Sequence, residues 1–325
     1  MANSTIDRER EFEELVDPYR RELLAHCYRM TGSLHDAEDL VQETYLRAWR
    51  SYEGFEGRSS LRTWLHRIAT NACLTAIEQR GRRPMPTGLG GPSDEPERPV
   101  VASPEVPWLE PAPDSLVAAD PADPASIVAA RESTRLAFVA ALQHLPARQR
   151  VTLILRDVLK WKAAEVAELF GTSTASVNSA LQRARAQLAE HAPERDELVE
   201  PTDPAQRDLL ERYARAFEEA DIDGLVELFK EDAVWEMPPF PEWFVGPEHI
   251  ARLIKSQCGP DRATFRLLPT GANGQPAFAL YKRGDDGVYR PYQLQVLEVA
   301  SDGVRHASVF FDTRLFPFFG LPDTA

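Results

Sequence analysis

The sequence predicts a multidomain chain, with two all-α domains joined by a proline-rich acidic segment and followed by a C-terminal α+β domain. Three observations carry this prediction. Residues 6–83 and 125–192 repeat apolar residues at three- and four-residue steps, the spacing of one helix face. Between them, residues 84–124 hold 11 of the 26 prolines. From about residue 203 the pattern changes to one helix and then short alternating runs punctuated by Gly and Pro. The resulting boundaries are 6–83, a linker over 84–130, 131–193 and 203–325.

A length of 325 residues suits two or three small domains. The net charge of -14 opposes nucleic-acid binding unless the basic residues are segregated, because phosphate contacts need Lys and Arg. Cys27, Cys73 and Cys258 are odd in number, far apart in sequence and in no CxxC pair. A disulfide framework or zinc site is therefore not expected, and a reducing cytoplasm is. The N-terminal MANSTIDRER has no apolar core, and no run of about 18 apolar residues occurs, so neither secretion nor a membrane span is expected. There is no phosphate-binding glycine loop and no cluster of metal-ligating residues, so no cofactor and no metal are expected.

In the first domain, residues 36–50 (DAEDLVQETYLRAWR) set Ala37, Leu40, Val41, Tyr45, Ala48 and Trp49 on one apolar stripe, with Ser33 or Asp36 as cap. Asp39 and Glu43 share the opposite face, one turn beyond Asp36. Such an acidic ridge fits either a solvated surface or a docking face for a basic partner. Residues 55–83 invert the charge, with six arginines (58, 62, 67, 80, 82 and 83) against Glu56 and Glu78, and Phe55, Trp64 and His66 among them. Arginine supplies phosphate contacts, and an aromatic ring can stack on an unpaired base. Leu65, Ile68 and Cys73 read as core, Trp64 as either core or stacking surface, and Ser59 or Ser60 caps the helix that starts at Leu61.

The linker over 84–124 carries eight acids and the single base Arg98, a composition that does not build a packed core by itself. Only Val106, Trp108 and Leu109 look able to anchor it. In the next domain Pro146 sits at a plausible first helical position, and Val151, Leu153, Ile154, Leu155 and Val158 pack one helix. Ala163–Phe170 is a second helix, Gly171 ends it in a left-handed turn, and Thr172, Ser173 or Thr174 caps a third helix running to about Leu188. This is the layout of a DNA-reading helix-turn-helix. The third helix turns Val177, Ala180, Leu181, Ala184 and Leu188 inward. It leaves Ser173, Ser176, Asn178, Ser179, Gln182, Arg183 and Arg185 outward, side chains able to pair with base edges or merely to solvate a surface.

These segments together carry a family resemblance. DAEDLVQETYLRAW, followed by F-x-G-x-S-S-L-R-T-W-L-H-R-I-A-T-N-A-C-L, resembles regions 2.2 to 2.4 of small sigma-70-type factors of the extracytoplasmic-function (ECF) kind, and residues 145–188 resemble region 4. The resemblance implies that Asp36, Glu38, Asp39, Leu40, Gln42 and Glu43 bind the clamp helices of the β′ subunit of core RNA polymerase. It implies that Arg58, Ser60, Arg62, Trp64, Arg67, Asn71 and Arg80 read the −10 element, and that the seven outward residues of the third helix read the −35 element beside the β flap. The acidic linker would thread the polymerase channel. Core polymerase and promoter DNA are the implied partners, in the cytoplasm.

A minimal factor of this type would end near residue 193, and this chain continues for about 130 residues. Residues 205–232 read as a helix bearing Leu209, Leu210, Tyr213, Ala216 and Phe217, then a helical Gly224–Lys230. DAVWEMPP, 277–283, 288–300 and 303–316 read as strands, with a hairpin turn at Gly284–Gly287. Helices followed by a curved antiparallel sheet suggest an α+β cone. The order of elements, AVWEMPP and the FDTRLFPFFGLP ending resemble the SnoaL-like branch of the NTF2-like fold. That resemblance implies a pocket which Trp235, Met237, Trp243, Phe244, Tyr281, Gln293 and Phe310 could line or, as core, fill. It also opens two roles: regulation, through a small ligand or an anti-sigma factor, or a cyclase or isomerase activity using His249, His306, Asp302 or Asp312. None of these four sits in a local arrangement that marks a catalytic pair, so no catalytic residue is assigned. With 20 acids and 13 bases, residues 203–325 carry a net -7 and make a poor DNA binder.

Overall fold

The computed structural model describes residues 2–57, 59–117, 133, 135–191, 204–257 and 264–325. The chain divides into two compact units, Met1–Arg83 with Ser115–Ala192, and Pro84–Asp114 with Pro193–Ala325.

The first unit is helical. Its first part holds α1 (Ala2–Val16), α2 (Arg20–Thr31), α3 (Leu34–Ser51) and α4 (Leu61–Arg80). Of the candidate caps, Ser33 caps α3, its Oγ accepting from Asp36 N at 3.1 Å, and Ser60 caps α4, accepting from Thr63 N at 3.1 Å. Leu23, Leu24, Tyr28, Leu34, Ala37, Leu65, Ala69 and Cys73 are buried. Cys27 is buried beside Cys73, and its thiol, together with burial, raises the Cys73 thiol well above its ordinary value.

The second part holds α5 (Leu136–Gln143), α6 (Ala147–Leu153), α7 (Ala163–Phe170) and α8 (Thr174–His191). Pro146, expected at the first helical position, instead stands at the cap of α6, one residue before the helix begins, and the helix expected through Val158 gives way at Ile154 to a π turn. Gly171 takes the left-handed conformation (φ 60°) that the turn between α7 and α8 requires, and Ser173 Oγ accepts from Ser176 N at 3.2 Å. The two parts pack on each other through buried polar groups. Arg150 donates to the Met30 carbonyl and to Gln143 Oε1 at 2.7 Å, and Arg29 Nε donates to the Ser133 carbonyl at 3.1 Å. Burial lowers both guanidinium groups to about 10.

In the second unit, α9 (Pro204–Glu218), α10 (Ile222–Val226) and α11 (Pro247–Gln257) accompany one six-stranded sheet. Its strands are β1 (Phe229–Glu236), β2 (Trp243–Val245), β3 (Phe265–Ala272), β4 (Gln275–Arg283), β5 (Tyr289–Ala300) and β6 (Gly303–Phe310), in the order β2-β1-β6-β5-β4-β3. Only the β1–β6 pair is parallel. The expected helix over Gly224–Lys230 is replaced by the short α10 and the start of β1, because Phe229 pairs with Val304 in the sheet. Tyr213, Phe217, Trp235, Phe244, Ile250, Phe278, Leu280 and Leu297 form the core under the helices. Alternation then sends Glu236, Phe310, Leu294, Val296 and Ala279 to the other sheet face, and these too are buried.

The expectation of a linker that stands apart from the folded domains is corrected over residues 84–114, which belong to the second unit. Trp108, Leu109 and Ala112 are buried, so two of the three proposed anchors do anchor it. Composition alone misled because a proline-rich strand needs no core of its own when a sheet supplies one, and its nine prolines hold it extended beforehand. The remainder of the expected linker, from 118 on, lies outside the described residues.

Candidate nucleic-acid interface

On α3 the six candidate polymerase-binding residues divide. Asp39 and Gln42 are exposed, and half-buried Glu43 pairs with Arg47 at 2.6 Å. Glu38 pairs with Arg20 at 2.6 Å. Leu40 is core. Asp36 is buried, and its carboxylate holds Arg80 as well as Arg83, the latter at 2.6 Å. These two therefore leave the exposed ridge, because the helix start turns Asp36 toward the end of α4. Leu46, 58% exposed one turn beyond Gln42 and Glu43, is an apolar member of the ridge that the charge pattern did not reveal.

On α4 the candidate −10 residues lie along the basic helix, with Arg58 outside the described residues. Ser60 serves as cap, Asn71 is exposed, and Trp64 is half-buried with its ring 4.8 Å from that of Phe55. Each of the three described arginines is already held by a carboxylate of the first unit. Arg62 Nε donates to Glu22 at 2.8 and 2.9 Å, Arg67 pairs with Glu168 of α7 at 3.1 Å, and Arg80 pairs with Asp36. Glu22 also lies 3.2 Å from the buried His66. Burial opposes its ionisation, but the neighbouring His66 ring and the hydrogen bonds from Arg62 outweigh it and bring the carboxyl down to about 2. The Trp161 ring meets that of His66 edge-on, with centroids 6.1 Å apart. Sequence spacing could not reveal these partners, which lie 40 to 101 positions away.

On α8 the division follows the expectation except at Ala180 and Leu188, which were expected inward and are only half-buried. Val177, Leu181 and Ala184 are buried, and Ser173, Ser176, Asn178, Ser179, Gln182, Arg183 and Arg185 are all exposed. Arg185 is clamped by Asp157 in a two-point ion pair at 2.9 and 2.6 Å. Arg183 has no carboxylate partner among the described residues.

In the second unit the seven candidate pocket residues do not converge. Trp235, Met237, Phe244 and Gln293 are buried on the helix side of the sheet, where the neighbouring Gln295 accepts from Tyr213 OH at 3.0 Å. Trp243, Tyr281 and Phe310 belong to the other face. Trp243 Nε1 donates to the Gly90 carbonyl at 2.9 Å and Tyr281 OH to the Pro322 carbonyl at 2.7 Å. The side chains weighed for catalysis are engaged as well. His249 Nδ1 lies 3.0 Å from the Val245 carbonyl, Asp302 pairs with Lys230 at 3.0 Å, and Asp312 caps the last turn and grips Arg314 at 2.6 Å. His306 Nε2 lies 2.7 Å from Glu236, which is buried and also accepts from Ser308 Oγ at 3.0 Å and from Thr87 N and Oγ1 at 3.2 and 3.0 Å. Burial disfavours both charged forms here. Their mutual attraction and the Thr87 bonds prevail, holding Glu236 below and His306 above their ordinary values.

Comparison with known proteins accounts for all three parts. Residues 15–83 match the sigma-70 region 2 model, 135–188 the sigma-70 region 4 model, and 210–303 the SnoaL-like domain model. The ECF RNA polymerase sigma factor SigG of Mycobacterium tuberculosis is 61% identical over 320 residues, covering 98% of this chain and 86% of that protein.

The chain belongs to the ECF RNA polymerase sigma factors.

SigJ of the same organism, also an ECF sigma factor, is 32% identical over 227 residues, covering 69% of this chain and 63% of that protein. The crystal structure of SigJ shares the fold of this sigma factor, with a TM-score of 0.59 and 24% identity, covering 95% of this chain and 99% of that one. The sigma factor's first unit thus holds regions 2 and 4, and its second the SnoaL-like domain. Among the described residues no helix is long and apolar enough to cross a membrane.

Proposed function

We propose that this sigma factor brings core RNA polymerase to its promoters through three surfaces of the first unit and is modulated in cis by the second. Asp39, Gln42, Glu43 and Leu46 on α3, with Glu38 at the edge, meet the β′ clamp helices. The basic-aromatic face of α4, with Arg62, Trp64, Arg67, Asn71 and Arg80, reads the −10 element and helps open the duplex. The exposed face of α8 reads the −35 element, beside the β flap. The protein works in the cytoplasm, where polymerase and promoter are.

The observation that carries this reading is α8 with its preceding Ser173, whose seven candidate polar side chains all face solvent while Val177, Leu181 and Ala184 are buried. Modulation in cis rather than catalysis is the role of the SnoaL-like domain. In support, His249, His306, Asp302 and Asp312 all have structural partners, and the domain binds the segment between regions 2 and 4. An anti-sigma factor or a small ligand is the partner class through which a signal enters. A pull-down of purified core polymerase with the tagged full chain tests the reading. Stoichiometric capture that falls with Asp39→Arg or Leu46→Asp is expected, and no capture would remove the polymerase contact from the account.

A further inference from the structure

The segment between regions 2 and 4 is built into the SnoaL-like domain as a strap. Residues 84–114 touch that domain at five places. Thr87 bonds Glu236 at the end of β1, and Ser103 N donates to the Pro239 carbonyl at 2.8 Å in the loop that follows. Ser93 N donates to the Trp243 carbonyl of β2 at 2.7 Å, and Trp243 Nε1 returns a bond to Gly90. On α11, Arg252 grips Glu97 at 2.6 and 2.7 Å and Ser256 Oγ donates to the Pro96 carbonyl at 3.3 Å.

The last clasp is the tightest. Ala112 N donates to Asn273 Oδ1 at 2.9 Å, Asn273 N donates to the Ala112 carbonyl at 2.9 Å, and Gly274 N donates to Asp114 Oδ1 at 2.6 Å. Pro113 and Ala272 thereby form an antiparallel bridge beside β3. Gly271 makes room for it, since a Cβ there would stand 2.5 Å from the Asp114 carboxylate. Val100 packs on the domain core, and Trp108 and Leu109 are buried.

We infer that this strap is a shared ligand, held by the SnoaL-like domain in the free protein and surrendered when core polymerase is engaged, so that the two compete for residues 84–114. The inference rests on the polymerase reading above and on the family resemblance, which implies that the acidic segment between the regions threads the polymerase channel. Chemistry allows both hosts. Six acids and one base lie between 84 and 114, and Asp94, Glu95, Glu97 and Glu105 are exposed, as a segment bound in a nucleic-acid channel requires. Glu236 keeps His306 and Ser308 as partners after Thr87 leaves.

The test is a reversible lock on the full chain. Facing residues of an antiparallel bridge lie about 4.5–5.5 Å apart at Cα, inside the range a disulfide spans. Pro113→Cys with Ala272→Cys, in a Cys258→Ser background, would close the strap on oxidation and free it with reductant. Run-off transcription with purified core polymerase is then compared across the two redox forms. Loss of transcript on complete cross-linking, restored by reductant, is the expected result. Equal transcription by the cross-linked and reduced forms overturns the inference while leaving the sigma reading intact. Failure of the unsubstituted chain to transcribe overturns the sigma reading itself.

Should the cysteine variants be inactive in both forms, hydrogen exchange on the unsubstituted chain decides. The amides of Thr87, Ser93, Ser103 and Ala112 are hydrogen-bonded to the domain, so they should be protected in the free protein and exchange faster as holoenzyme forms. Unchanged protection of all four in transcribing holoenzyme overturns the competition.

Discussion

Replacing Glu236 with alanine should unfold the SnoaL-like unit at a markedly lower temperature. The carboxylate is 2% exposed and accepts from His306, Ser308 and, twice, Thr87. Removing it leaves the half-buried His306 ring and several donors without an acceptor, and breaking a fully buried ion pair from one side costs about 3–5 kcal/mol, an upper bound for this pair. For a unit of this size each kcal/mol corresponds to roughly 2–4 °C, so the transition should fall by about 10 °C. Glu236→Gln keeps the volume and one acceptor oxygen and should cost less, about 1.5–3 kcal/mol, the worth of hydrogen bonds to a charged group. Scanning calorimetry of the full chain reads both, and a double-mutant cycle with His306→Gln isolates the pair, with an expected coupling of about 0.5–3 kcal/mol. A change below about 0.5 kcal/mol for Glu236→Ala, the size of an ordinary surface substitution, would refute the reasoning.

The same pair sets a pH dependence. His306 is raised, so its contribution is complete below the ordinary imidazole value and is lost as pH rises through the raised one. Glu236 is lowered, so its contribution is present above the ordinary carboxylate value and is lost as pH falls through the lowered one. The unit's melting temperature should therefore decline as pH rises above the ordinary imidazole value, and His306→Gln should flatten that decline; an unchanged limb there would contradict the assignment. In the first unit, Arg150→Met should cost about 1–3 kcal/mol, because Gln143 and the Met30 and Leu145 carbonyls lose their buried donor; chemical denaturation checks it. Arg183→Ala should weaken promoter binding by holoenzyme by about 1–3 kcal/mol if it contacts a base edge, and gel-shift titration against −35 variants shows whether selectivity relaxes at one position. Glu168→Gln should alter stability by less than about 1 kcal/mol, because its pair with Arg67 is exposed, and equilibrium unfolding measures this.

Much of the architecture was legible because local signals coincide with the elements. The apolar stripe and Ser33 mark α3, Ser60 marks the start of α4, and Gly171 and Ser173 separate α7 from α8. The hairpin at Gly284–Gly287 forms as its residues predict, Gly287 taking φ +80°. β3 escaped notice because Pro269 interrupts it, which an edge strand tolerates. α11 was missed although Pro247, Ile250, Leu253 and Ile254 carry a readable helical spacing.

The site was legible in residue type but not in pairing. The arginines of α4 and α8 were found, whereas Glu22, Glu168, Asp36 and Asp157, which hold them, are set by tertiary packing. The strap was misread for a related reason, since composition describes what a segment can do alone and residues 84–114 are completed by a sheet more than 100 positions away.

The central claim is that this chain confers promoter specificity on core RNA polymerase. Run-off transcription with purified core, the full chain and a set of candidate promoters tests it most directly. The account predicts transcripts that require the added chain, start at a fixed distance from a −35/−10 pair, and are reduced by Arg183→Ala and by Asp39→Arg. Transcription indifferent to the chain on every promoter to which it binds would contradict it.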